Sequence, residues 1–436
     1  MGIVLRSATA VAATVVLGLG GAAPAAAGPR QAHRYAPAAC ENPAEPGQVI
    51  AQTPWQQQWL APERVWPFST GAGVEVAVVD SGTDASHPQL SGRVQQGFDM
   101  LSGGAGGNVD CVSHGTAVAS IIAARRQQGV GFAGLAPDAE ILPIRVTERE
   151  VDQGKGQGPA VPAERFAQAI RTAVDEGARV VNLSVTLYQN DPAVESAVTY
   201  ALDKDVVLVA AAGNLHQSGG QPDPVPYPAA YDGVIGVGAI DQTGARVDLS
   251  QIGPYVDIVA PGGAVVAATR VRGHSTWSGT SFATPMVSAT AALIRAAEPR
   301  LSAEQVAQRL LATADPARGS AAQGYGRGVV NPYRAVTERL TDAPARTREA
   351  LPAAPYDPVR AARTDRWATM GHIGWWVALG LVAAAGVVAA VALLAPYGRR
   401  RRWRPTRTAP SPEPHPECGE PDPEEVFFRV PSAPTG

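Results

Sequence analysis

The stretch VEVAVVDSGTD, residues 74–84, joins an almost unbroken apolar run to an acid and a turn. A strand with water on one face alternates apolar and polar residues, whereas a continuous run suits a strand covered on both faces, as in parallel sheets. Four more runs of this kind follow: ILPIRV (141–146), VVNLSV (180–185), VVLVAAAGN (206–214) and VIGVGAI (234–240). Helical patterns separate them. PAERFAQAIRTAVDEG places Phe166, Ala169, Ile170, Ala173 and Val174 on one stripe, with Pro162 suited to the first turn and Gly177 to the C-terminal cap. DPAVESAVTYALDKD repeats the pattern, and SAEQVAQRLLATA opens with Ser302 and Gln305 in capping-box spacing. Strands alternating with helices predict an α/β fold with a mostly parallel sheet and crossover helices.

With 436 residues, 45% hydrophobic and 17% charged, the chain is long enough for a large core and is not disordered throughout. A net charge of -3 gives no pointer to nucleic acid. Both ends carry membrane signals. The start has Arg6, an apolar stretch from Ala8 to Gly20 and small residues at Ala25 and Ala27, which predicts a secretory leader over 1–27. Residues 373–395 hold no charge and are followed by Arg399, Arg400, Arg401, Arg402 and Arg404. That pattern predicts one membrane span over 372–396, a cytoplasmic C-terminus and an extracytoplasmic main domain at the cell membrane.

The remaining boundaries follow from composition: an extension over 28–70 packed on the main domain, the domain itself over 71–340, a Pro-rich linker over 341–371 and a disordered tail over 397–436. Cys40 and Cys111 fall on the exported side, where a disulfide persists and would tie the extension to the domain. Cys418, in the tail, is expected to stay reduced.

Four stretches could carry chemistry. Asp80 ends the first strand, at the edge where open α/β sheets place ligands. His114, in CVSHGTAVASIIAA, begins a helix of small residues. Asn214 ends a buried strand, where its amide could donate to a developing negative charge or merely cap a turn. Ser281, in WSGTSFATP (277–285), stands at the mouth of a buried helix in which small residues such as Ala283 and Ala289 allow deep packing. A serine hydroxyl needs a base to take its proton, and the base needs an acid to orient it. Asp80, His114 and Ser281 supply the three roles in the order Asp, His, Ser. No EF-hand spacing or other metal site is evident, and no cofactor is implied.

The stretches VVDSGTD, SHGTAVAS, AAAGN and SGTSFATPMV resemble the Asp, His, oxyanion Asn and Ser motifs of the subtilisin family of serine proteases, over roughly residues 65–340. The resemblance implies a subtilisin-like three-layer sandwich, joined here to one C-terminal transmembrane helix. It implies that Asp80 orients His114, that His114 is general base and then acid, and that Ser281 attacks a peptide carbonyl. Asn214 and the Ser281 N–H would hold the oxyanion. Ser184, Val185 and Thr186 match the strand that pairs with substrate, but Thr186 stands where the secreted members usually have Gly. Leader, extension, linker, span and tail together resemble the mycosins, membrane-anchored proteases associated with type VII secretion. Their second catalytic-domain disulfide has no counterpart here. The resemblance implies a serine endopeptidase acting on few exported proteins, with secretion components as partners; the alternative is a structural component of the secretion complex in which proteolysis is dispensable. With fewer than 50 residues between Gly28 and the first strand, the extension is expected to stay attached to the mature enzyme.

Overall fold

The computed structural model describes residues 38–148, 150–152, 155–157, 160–217 and 222–340, together with 380–382, 384–386, 388, 395–396 and 399–400. The expected leader 1–27 and linker 341–371 lie outside these residues, as do most of 372–396 and of the tail. Among the described residues no helix is long and apolar enough to cross a membrane.

In chain order the elements are helices α1 (Ala38–Glu41) and α2 (Trp55–Leu60), strands β1 (Glu75–Asp80) and β2 (Phe98–Asp99), helix α3 (His114–Ala123), and strands β3 (Glu140–Arg145), β4 (Glu150–Asp152) and β5 (Lys155–Gln157). Then come α4 (Ala163–Asp175), β6 (Val180–Leu183), α5 (Pro192–Asp203), β7 (Val207–Ala211), β8 (Ile235–Ile240) and β9 (Ile258–Pro261). The hairpin β10 (Val265–Ala268) and β11 (His274–Trp277) leads into α6 (Thr280–Ala297), α7 (Ala303–Ala312) and α8 (Pro332–Thr337).

Seven strands form one sheet in the order β2-β3-β1-β6-β7-β8-β9, every pair parallel. The five apolar runs become β1, β3, β6, β7 and β8. Side chains alternate across a strand, so each run feeds two cores. Val76 and Val78 enter the layer with α3 and α6, while Ala77 and Val79 enter the layer with α4 and α5. Val207 and Val209 divide from Leu208 and Ala210 in the same way. The result is a sheet between two helical layers.

Helix α4 buries Phe166, Ala169, Ile170 and Ala173, with Val174 half-buried at the stripe's edge. Its N-cap is Pro162, and Gly177 takes φ 102° just past the C-cap. Ser302 and Gln305 close the capping box of α7. Helix α6 is buried all round from Thr280 to Arg295, including Ala283 and Ala289.

The extension lies across the layer that holds α3 and α6. Trp55 Nε1 donates to the Ala264 carbonyl (3.0 Å), Trp66 Nε1 to that of Leu135 (2.9 Å) and Ser69 Oγ to that of Leu293 (2.7 Å). Gln48 bridges to His274, and Leu60 and Val65 enter the core. Cys40 and Cys111 are joined by a disulfide across 71 residues of sequence.

Candidate active site

The sheet changes winding direction at β1: the chain passes to β3 on one side, then returns to build β6, β7, β8 and β9 on the other. Residues at the C-terminal ends of strands beside such a switch share one crevice. Asp80 is the last residue of β1, Ser184 follows β6, and Asn214 stands three residues beyond β7.

Asp80 is fully buried. Its Oδ1 accepts from His114 Nδ1 (2.7 Å) and from the Ser81 N–H (2.7 Å). A proton held on Nδ1 leaves Nε2 as the basic nitrogen. His114 Nε2 is buried and, among the described residues, without a hydrogen-bond partner. The imidazole lies against the Phe282 ring, with centroids 5.1 Å apart. Burial opposes the charged ring, but Asp80 beside it and Asp110 beyond outweigh that effect and hold the His114 pKa above the usual histidine value. Gly115 makes the approach possible, because a Cβ there would collide with the Gly82 carbonyl oxygen.

Ser281 sits in the first turn of α6, and its Oγ donates to the Ser184 carbonyl (3.2 Å), not to His114. In return Ser184 Oγ donates to the Ser281 carbonyl (2.9 Å). That carbonyl is open because its partner four residues on is Pro285, which has no N–H. Asn182 Nδ2 donates to Ser184 Oγ (2.9 Å), and Asn182 Oδ1 accepts from Ser288 Oγ (2.8 Å).

Asn214 Oδ1 accepts from the Thr280 N–H (2.9 Å) and from Thr280 Oγ1 (3.0 Å). The amide is thereby oriented, and its Nδ2 lies against Gly279, whose φ is 146°. The Ser281 N–H follows, in the turn where helix N–H groups have no intrahelical partner. The Asn214 amide and the Ser281 N–H thus belong to the same helix start.

Ser184 is buried, while Val185 and Thr186 run on half-buried from the end of β6. Val185 packs toward the α4 and α5 layer. Among the described residues no group of three or more His, Cys, Asp or Glu is placed to hold a metal ion. The structure also brings in residues that sequence reading passed over. Asp110 and Ser81 bind the start of α3, and Asn182 supports Ser184. A polar Asn inside an otherwise apolar strand was a visible signal; an Asp in a glycine-rich loop was not.

The Subtilase family model for peptidase S8 matches residues 71–328. The chain belongs to the subtilase family. It is 34% identical over 397 residues to Mycosin-1 of Mycobacterium tuberculosis, covering 79% of this chain and 88% of that one. It is 39% identical over 274 residues to the Thermophilic serine proteinase of Bacillus sp. (strain AK1), covering 62% of this chain and spanning 64% of that protein's length. Among solved structures, MycP1 from the ESX-1 type VII secretion system superposes with a TM-score of 0.59 at 29% identity, over 70% of this chain and 91% of that one. The subtilase is thus a mycosin-like serine-type endopeptidase.

Proposed function

We propose that Ser281 is the nucleophile, His114 the general base and then acid, and Asp80 the residue that orients and stabilises the imidazolium. The Asn214 side chain and the Ser281 N–H hold the oxyanion of the tetrahedral intermediate. The observation that carries this reading is the 2.7 Å bond from His114 Nδ1 to fully buried Asp80, which leaves Nε2 unpartnered beside the helix that bears Ser281. Attack begins when the hydroxyl leaves the Ser184 carbonyl and turns to Nε2, which takes its proton as the bond to the substrate carbon forms. The same proton then passes to the leaving amine, and water repeats the sequence on the acyl-enzyme. Ser184, Val185 and Thr186 form the edge on which an extended peptide would pair, with the Thr186 side chain narrowing the first pocket.

The setting follows from the ends of the chain. An apolar leader, an uncharged run at 373–395 and the arginines after it support a single-pass protein of the cell membrane, with the protease domain extracytoplasmic and the C-terminus cytoplasmic. The likeness to MycP1, which comes from a type VII secretion system, supports exported proteins as substrates and that system's membrane components as partners. Membranes bearing the full chain are expected to react with a fluorophosphonate at Ser281, and Ser281→Ala is expected to abolish the reaction. Correctly folded wild type that fails to label would overturn the catalytic reading. Comparing proteins exported by wild type and by Ser281→Ala would identify the substrates. Full export by the Ala variant would assign secretion to a scaffolding role.

A further inference from the structure

Two buried carboxylates lie near His114: Asp80, bonded to its Nδ1, and Asp110, which bonds the peptide groups around it. Asp110 lies four residues before the histidine and is 2% exposed. Its Oδ1 accepts from Ser81 Oγ (3.0 Å), the Val112 N–H (3.0 Å) and the Ser113 N–H (3.0 Å). Its Oδ2 accepts from the Thr116 N–H (2.9 Å) and from Thr116 Oγ1 (2.6 Å). Three of the five contacts are N–H donors and two are hydroxyls, which also donate to a carboxylate; burial pushes the Asp110 pKa up, and the bonds from Thr116 and Val112 oppose it. The Gly115 N–H, on the other side of His114, is taken by Ser81 Oγ (2.8 Å).

The peptide groups around the histidine are therefore fixed by two side chains. One of them reaches both acids: Ser81 gives its N–H to Asp80 and its hydroxyl to Asp110. The held turn is also a costly one. Ser113 has φ 70°, a left-handed conformation that a non-glycine residue keeps only when its surroundings over-determine it.

We propose that Asp110 is a positioning residue for the catalytic histidine: with Ser81 as its bridge, its carboxylate locks the turn that fixes His114 against Asp80 and aims Nε2 at the site of Ser281. The proposal rests on the catalytic roles given above. The charged and titratable groups facing Asp110 are Asp80, His114, Arg270, whose Nε donates to the Asp110 carbonyl (3.4 Å), and Asp84, whose N–H bonds Thr116 Oγ1. Beyond its hydrogen bonds, Asp110 adds a negative charge that favours the imidazolium.

The test uses the full chain extracted in detergent, with the second-order rate of fluorophosphonate labelling at Ser281 followed against pH and thermal unfolding as the folding control. Asp110→Asn is expected to slow labelling on the order of 10- to 100-fold, the scale of a misplaced catalytic group, and to move the acid limb of the profile to lower pH. A purely structural role would not move the limb. Ser81→Ala, which keeps the charge, is expected to slow labelling with the limb in place. Folded Asp110→Asn with wild-type rate and limb would overturn the proposal. Should that variant fail to fold, Ser81→Ala decides: a slowed rate upholds the proposal, an unchanged one overturns it. Labelling that persists in Ser281→Ala would strike the catalytic reading itself.

Discussion

Helix α3 begins at His114 and α6 one residue before Ser281, yet their N-termini are finished in opposite ways. In α3 the first N–H groups are filled: Gly115 by Ser81 and Thr116 by the Asp110 carboxylate. In α6 the Asn214 side-chain carbonyl fills the Thr280 N–H, and its Nδ2 lies against Gly279, next to the helix start. A helix N-terminus carries partial positive charge. Under the proposed mechanism a cation forms on His114, where that charge is covered by the Asp110 side chain, and an oxyanion forms beside Ser281, where the charge would be used instead.

Removing the open end should cost most. Asn214→Ala loses an oxyanion donor together with the acceptor for Thr280, and kcat is expected to fall on the order of 10²- to 10³-fold with KM little changed, measured by steady-state peptide hydrolysis. A rise in KM of that size with kcat unchanged would show that Asn214 binds ground state and transition state alike, and would break the comparison. The covered end is read by pH. His114 must be neutral to accept the Ser281 proton, and its pKa lies above the histidine norm of about 6.5. The rate should therefore fall as pH drops through a value above that norm, and should be full on the alkaline side. A limb below pH 6.5 would show that Asp80 and Asp110 do not support the cation.

The smallest change in rate is expected from Cys40→Ser with Cys111→Ser. Asp110 already pins the turn beside Cys111, so labelling should stay near wild type. Stability should instead drop by about 4 kcal/mol, the loop-closure value for a bridge across 71 residues, read from denaturant unfolding. A large loss of rate would mean that the bridge, and not Asp110, fixes the start of α3.

Much of this architecture was legible in the sequence, for reasons that differ by element. Strands β1, β3, β6, β7 and β8 are buried on both faces and write themselves as apolar runs. Strand β2 has two residues, too short for any pattern; β9 ends on Pro261 with Gly262 and Gly263 after it, which reads as a turn; and β11 reads His-Ser-Thr-Trp with its middle exposed. The capping box at Ser302 was visible because both partners are local. Asp80, His114, Asn214 and Ser281 stood out because motifs surround them. Asp110 did not, since an Asp in GNVDC looks like a turn former, and its bond to Ser81 spans 29 residues of chain. Polar networks closed by distant partners leave no periodic trace.

The proline in α6 has one more consequence. By opening the Ser281 carbonyl it admits Ser184, and Ser184 in turn offers its own carbonyl to the Ser281 hydroxyl, the proposed nucleophile. Engaging His114 thus trades one acceptor for another without stripping the hydroxyl of a bond. A net hydrogen bond is worth about 1 kcal/mol, so this exchange spares the hydroxyl a loss of that order when it turns toward His114.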